Sequence, residues 1–408
     1  MKKISILALC VATAAAATAQ KSVIKEAESA MKSGKPFAEV VTIVTPAFTN
    51  PETEKAAITY YIPGKAGFKE YDDVLGKKQV GLIKQDDPKV LSAANALLGG
   101  YEYYVKTLPL DSLPDEKGKV KPRYSKEILS TIAGHQADFN MAAVDFWNAK
   151  EYKKAAQSWQ IFLDLPTDPL FAKAKFQNFP DSVMSEIAFN QGLAAWQAED
   201  LTGAINAFRN AIKKGYSKKP VYEYGIAVAT GAKDNEALLE FASAGNNLYG
   251  HSDPQFINQI VNYYLQTEKY DEALQFLADA VAADADNSQY YALEGIIYDN
   301  KKDRAKAMEL YQKALDLDAD NAIALFYMGR AYAAKAGDLS DEYNGTNFDS
   351  FKQKELVPLY QKAVDYLEKA YKLDPNNRTQ ILQVLEIAYY NLDDKNGYDS
   401  VQQRKLDD

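Results

Sequence analysis

The sequence predicts an all-α solenoid of helix–turn–helix repeats. Three observations predict it. A small–small–aromatic–small series recurs along the chain at near-constant spacing. Tyrosine is abundant (28) and glycine modest (21), which suits helices packed through aromatic ridges better than a glycine-rich β protein. Apolar residues make up 47% of the 408, enough for one elongated array or for two or three compact domains.

At the N-terminus, Lys2 and Lys3 precede ISILALCVATAAAATA, and Ala17-Thr18-Ala19 places small residues at a cleavage spacing. This predicts a bacterial secretory signal over residues 1–19, cut before Gln20. The apolar stretch is short and Ala-rich for a membrane span. Cys10, the only cysteine, lies inside it and follows Leu9, where a lipoprotein signal wants a small residue. The mature chain would then carry no thiol, which excludes thiolate catalysis, disulfides and cysteine-ligated metals. Without Lys2 and Lys3 the formal charge of −9 becomes two units more negative. That balance disfavours nucleic acid and anionic lipid as main partners. No later apolar run is long enough to give the mature chain a transmembrane segment. The expected location is the periplasm, or the periplasmic face of the outer membrane, of a Gram-negative bacterium.

Residues 23–34 and 36–48 read as a helix pair. Residues 50–68 read as a further first helix, with Gly64 in the small position and Pro63 breaking its middle. Residues 87–108 read as its partner, and 109–128 as a long polar connection. Residues 20–130 are therefore expected to form an N-terminal helical region of degenerate repeats. Residues 131–408 are expected to form a solenoid of about six to seven repeats.

The repeat is clearest at Gly192, Ala204, Phe208 and Ala211. It returns at Gly225, Ala237, Phe241 and Ala244, and at Gly295, Ala307, Tyr311 and Ala314. Looser copies are Ala143, Ala155, Trp159, Phe162 and Val261, Ala273, Leu277, Ala280. A sixth copy, Gly329, Ala363, Leu367, Ala370, is split by an insertion. Small residues on both helices let the two axes approach closely, and the bulky residue fills the groove beside the contact. Asp/Asn-rich turns such as DLDADN (316–321) and KLDPNN (372–377) stop one helix and cap the next. Two insertions interrupt the spacing. The one near 165–183 reads as an ordered loop or extra turn, and the one near 336–357 as a mobile loop between two helices.

The alanines at 204, 237, 273 and 307 lie 33, 36 and 34 residues apart. This resembles the tetratricopeptide repeat, a helix–turn–helix unit of about 34 residues. The resemblance covers residues 136–395 and implies a right-handed superhelical solenoid whose first helices line a concave face. Export signal included, the chain looks like the tetratricopeptide proteins of the Bacteroidota cell envelope.

The resemblance also implies groove residues at fixed offsets from the small position. These are Asn140, Trp147, Phe189, Asn190, Trp196, Tyr222, Asn258, Asn262, Asp299, Phe326 and Arg330. Aromatics mixed with amides suit an extended peptide. Two readings fit Trp196: it faces the groove, or it packs on the next repeat. Some family members hold a terminal carboxylate with a Lys/Asn/Asn/Lys/Arg clamp. Asn190 and Lys219 match that pattern, but Asn140, Val144 and Glu223 depart from it and leave it without its strong cation.

Catalytic constellations are absent from the pattern. The two histidines, His135 and His251, fall about three repeats apart and read as polar surface or helix-end residues. No nucleophile elbow, H-E-x-x-H pair or P-loop occurs. Residues 338–349 are rich in oxygen ligands, but Ser340 and Phe351 stand where a calcium loop needs Asp and Glu. Three Asp-Ser-aliphatic segments, at Ser112, Ser182 and Ser400, are similar to the O-glycosylation motif of exported Bacteroidota proteins and read equally well as helix caps. The expectation is a non-enzymatic scaffold or adaptor without metal or cofactor. It would bind envelope proteins or extended peptides through its concave face. The alternative is a periplasmic glycan or small-ligand binder.

Overall fold

The computed structural model describes residues 22–115, 117–250 and 253–407. The signal predicted at 1–19 and His251 lie outside them. The described residues fall into two compact units, one running to Leu238 and the other from Leu239. Both are helical, and one isolated antiparallel bridge, Pro114 to Val120, is the β feature among the described residues.

The first unit begins with α1 (22–32), α2 (Phe37–Val44), a 3-10 turn (Thr45–Phe48), α3 (Ala57–Gln79) and α4 (Pro88–Asp111). It continues with α5 (Ser125–Gly134), α6 (Gln136–Asn148), α7 (Tyr152–Asp164), α8 (Asp181–Gln197), α9 (Leu201–Lys213) and α10 (Pro220–Ala232). Helix α11 (Asn235–Tyr249) contains the division between units. The second unit holds α12 (Gln255–Gln266), α13 (Tyr270–Ala283), α14 (Ser288–Asn300), α15 (Arg304–Leu317) and α16 (Ala322–Glu342). It closes with α17 (Phe348–Phe351), a π-helical turn (Lys352–Leu356), α18 (Val357–Leu373), α19 (Arg378–Asn391) and α20 (Lys395–Asp407). Among the described residues no helix is long and apolar enough to cross a membrane.

Of the repeat residues, Ala244 and Ala280 are half-buried and the others are interior. Ala143, Ala155, Ala204, Phe208, Ala211, Ala237, Ala273, Ala307, Tyr311, Ala314 and Ala363 are fully buried. Gly192, Gly225, Gly295 and Gly329 are buried on their first helices. A Cβ built on Gly192 would lie 2.5 Å from the Phe208 ring, and one on Gly295 would lie 2.4 Å from Tyr311. The bulky residue therefore sits directly over the small one. Burying a ring such as Phe208 stabilises by about 1.5–3 kcal/mol.

The turns are as regular as the cores. Lys150, Glu199, Lys233, Glu268, Lys302 and Asp393 all adopt left-handed backbone, with φ between 55 and 67°. Each follows a first helix and lets the next N–H reach back to the penultimate turn. Asp200 N–H donates to the Ala195 carbonyl at 2.9 Å, and Asp303 N–H to that of Tyr298 at 2.9 Å. This is the paired C-terminal capping that a left-handed residue permits. The second helix is then capped from the same turn: the Asp200 carboxylate accepts from Gly203 N–H, and that of Asp303 from Lys306 N–H.

Two expectations need correction. Pro63 does not break α3; it lies inside a continuous helix of 23 residues. An interior proline costs about 3 kcal/mol. Here Tyr61, Ile62, Pro63, Gly64, Ala66 and Phe68 are all buried against neighbouring helices, which offsets it. The insertion near 336–357 is mostly helical rather than a loop. Buried Ala333 and Ala336 carry α16 on to Glu342, and Tyr343 stacks on Phe351 at 4.3 Å to fold the return.

Candidate functional site

In the second unit, first helices converge on one groove of about 230 Å³. Asn258 and Asn262 come from α12, Leu293 and Ile296 from α14, and Ile323, Phe326 and Tyr327 from α16. Asp374 and Asn377 come from the α18–α19 turn, and Gln380 from α19. No residue of α13 or α15 lines it. The cause is the repeat register. Asn258 and Phe326 stand three residues before Val261 and Gly329, while Asn262 and Ile296 stand one after Val261 and Gly295. Positions three or four apart share a helix face, so successive first helices present the same stripe.

The groove has an apolar floor and an amide rim. Leu293, Ile296 and Phe326 are buried, and Asn262 is exposed. Asn258 Oδ1 accepts from Gln289 Nε2 at 3.0 Å, which orients its amide. The Asp374 carboxylate accepts from Asn376 N–H (3.1 Å), Asn377 N–H (3.3 Å) and the Asn377 side chain (2.6 Å). Asp374 therefore holds the turn, and with it Asn377 and Gln380, against the helices. Burial pushes the Tyr327 phenol up, first among its causes, and keeps it a neutral hydroxyl. Such a surface pairs with backbone amides and seats one apolar side chain.

Asp299 and Arg330 line a second cavity of about 340 Å³ with Asn300, Lys302, Arg304 and Asp338. Arg330 pairs with Asp299 and lies 4.5 Å over the Tyr327 ring. Arg304 pairs with Asp338, so that carboxylate of the 338–349 segment is taken up by a cation. Among the described residues no group of three or more His, Cys, Asp or Glu side chains is placed to hold a metal ion.

In the first unit the predicted groove residues serve packing. Asn140 Oδ1 accepts from Trp159 Nε1 at 2.8 Å. Trp147 meets Tyr152 edge-on at 5.1 Å. Phe189 is only 8% exposed and stacks on Tyr216 at 4.5 Å; Tyr222 is 2% exposed. These rings, like Phe326 at 5%, offer a partner little surface because the neighbouring repeat already covers them. Asn190 remains half-buried. Trp196 is half-buried beside Tyr224 of α10, 5.6 Å between rings, so it packs on the next first helix and leaves one edge open. Lys219 forms an ion pair with Glu223 at 3.1 Å.

The serines at 112, 182 and 400 are exposed. Ser112 donates its hydroxyl to the Leu108 carbonyl at 3.0 Å. Its neighbour Asp111 is only 7% exposed and accepts from Arg123 N–H, Tyr124 N–H, Ser125 N–H and the Ser125 hydroxyl, at 2.7–2.9 Å. Asp111 thus caps α5 from across the connection. His135 ties α5 to α3: Nδ1 lies 2.8 Å from the Thr131 carbonyl and Nε2 2.8 Å from Asp72.

Tyr327, Asp374, Asn377 and Gln380 are groove residues the sequence reading missed. The signal for Asp374 and Asn377 was present in the KLDPNN turn, which was read only as a stop and cap.

Comparison with known proteins agrees with this architecture. Residues 288–321 and 359–377 match the tetratricopeptide repeat family model. Photosystem I assembly protein Ycf3 of Rippkaea orientalis is 29% identical over 162 residues, spanning 38% of this chain and 79% of that protein. A TPR repeats protein from Bacteroides fragilis is similar in structure, with TM-score 0.36, 21% identity and coverage of 62% of this chain and 98% of that one. YrrB, described as a TPR protein with an unusual peptide-binding site, has TM-score 0.28 and 20% identity, covering 46% and 88%. The chain is an all-α helical repeat protein that carries tetratricopeptide repeats, with family matches at 288–321 and 359–377.

Proposed function

We propose that this is a non-catalytic adaptor of the bacterial envelope, exported by its N-terminal signal, that binds an extended peptide segment of a partner protein. The binding surface is the second-unit groove. One observation carries the reading: four first helices and the α18–α19 turn, and no residue of α13 or α15, bring Asn258, Asn262, Asn377 and Gln380 around an apolar floor. The amides would pair with the peptide backbone, and the half-buried Ile323 and Tyr327 would take an apolar side chain over the buried floor. A groove already formed loses little entropy on binding.

A photo-crosslinking residue placed at Asn262 or Gln380, in cells, tests this. The expected outcome is one protein captured from both positions and not from Lys369, which is exposed on α18 away from the groove. Equal capture from Lys369 would defeat the assignment. Capture of saccharide in place of protein would replace the peptide by a glycan.

A further inference from the structure

A second, larger groove lies in the first unit, where the repeat spacing is broken. It has a volume of about 870 Å³, in the range of built ligand sites. One wall is α5, which presents Lys126, Leu129, Ser130 and Ala133, a stripe at helical spacing. The other wall is the irregular segment 173–177, Lys-Ala-Lys-Phe-Gln, from the insertion between α7 and α8.

Three features of this groove point the same way. Lys126, Lys173 and Lys175 are exposed and make no ion pair among the described residues, although the protein as a whole has a formal charge of −9. Among the described residues no carboxylate lines the groove. Leu129, Ala133, Ala174 and Phe176 supply apolar surface between the cations.

The segment itself is held open. Gln136, buried on α6, accepts the Gln177 N–H on its Oε1 at 3.1 Å and so pins the strand-like stretch. The N–H groups of Lys175, Phe176, Asn178 and Phe179 have no hydrogen-bond partner among the described residues. Backbone outside any helix or turn, as at 175–179, can offer such free donors to another strand.

We propose that this groove docks an acidic, extended peptide. It would lie along residues 175–179 and pair with the free N–H groups of Lys175, Phe176, Asn178 and Phe179. An aliphatic or aromatic side chain would rest on Leu129 and Phe176, and flanking carboxylates would meet Lys126, Lys173 and Lys175. A five-residue strand spans about 17 Å, so the contact would be one short strand long. The site shares no residue with the second-unit groove and differs in charge: three lysines line it, whereas Asp374 is the charged residue lining the other.

The test uses the purified protein and a fluorescent seven-residue peptide alternating Glu and Val, with an alternating Lys and Val peptide as control. The acidic peptide is expected to bind saturably and to weaken when salt rises from about 50 to about 300 mM. The variant K126E/K173E/K175E changes exposed side chains only, and its unfolding midpoint is expected to match the parent. It should weaken the acidic peptide at least about tenfold. Equal binding of both peptides, no binding up to about 1 mM, or an unchanged affinity in the triple variant overturns the proposal. So does equally tight binding of a short oligodeoxythymidine, which would mark the rim as a surface for any polyanion.

Discussion

The hairpins α3–α4 and α14–α15 close by the same contact but are built on different scales. In each, a glycine lies under a tyrosine ring: a Cβ on Gly64 would fall 2.3 Å from Tyr104, and one on Gly295 2.4 Å from Tyr311. In α14–α15 the two residues are sixteen apart, and the turn is three residues with left-handed Lys302. In α3–α4 they are forty apart, and residues 80–87 join two helices of 23 and 24 residues. The longer pair needs a second close approach. A Cβ on Gly67 would lie 2.3 Å from the Ala96 carbonyl oxygen and 2.7 Å from Gly100 Cα. Close helix packing thus depends on which backbones meet and not on how much chain separates them. A short repeat makes that contact once. A long hairpin makes it at two levels.

The largest effect should come from the deeper contact. In α3–α4 the obstacle to a side chain at Gly67 is backbone, which cannot rotate aside, whereas at Gly295 it is a ring. Gly67→Ala is expected to destabilise the first unit by about 3 kcal/mol, and Gly295→Ala to cost less, about 1–2 kcal/mol. Denaturant midpoints of the two variants decide it. If Gly295→Ala proves the costlier, ring packing and not backbone approach sets the hairpin geometry.

The connections differ as well, and Asp111 is the test. Burial pushes its carboxyl up, but the bonds from Ser125, Arg123 and Tyr124 outweigh burial and hold it below its ordinary value of 3.8. The folded state therefore binds this proton less readily than the unfolded chain does. The resulting stabilisation is present above pH 3.8 and is lost as pH falls through the lower folded value. Asp111→Asn keeps one acceptor oxygen and loses the charge, and should cost about 2 kcal/mol at pH 7. Stability of parent and variant should converge on acidification. A constant gap down to pH 2 would show that the carboxylate's charge is not what caps α5. Glu368, which takes Arg404 in two bonds of 2.8 and 3.0 Å to dock α20, works by the same logic from a more exposed position.

The same contrast explains what could be read from the sequence. The short repeats were legible because each contact recurs at about 34 residues, so Gly192, Gly295 and the alanines gave agreeing registers. The left-handed conformation of their turns was not, because those positions hold Lys150, Glu199, Lys233, Glu268 and Lys302 in place of the glycine that usually marks them. Pro63 misled because local propensity argues for a break, and only the partner helix α4 shows why none occurs. For the groove, offsets from the small residue picked Asn258 and Asn262, which line it, but also the covered rings Phe189, Tyr222 and Phe326. At those positions the following repeat covers the ring, and coverage depends on a neighbour that no single repeat encodes. The basic rim escaped because Lys126 and Lys173 are far apart in sequence and adjacent only once the insertion folds back.

The smallest effect has the opposite sign and comes from the same helix as the largest. Gly76 lies in α3, nine residues beyond Gly67, and a Cβ there would meet nothing within 4 Å. Its φ is not in the left-handed region, so alanine fits the existing backbone. What remains is the entropy glycine loses on entering a helix. Gly76→Ala should therefore stabilise by about 0.5–1 kcal/mol, seen as a higher midpoint with an unchanged denaturant slope. Gain at Gly76 together with loss at Gly67 would separate the two roles of glycine within one helix. Loss at both would mean that α3 packs along its whole length, and that the hairpin contact extends beyond the levels of Gly64 and Gly67.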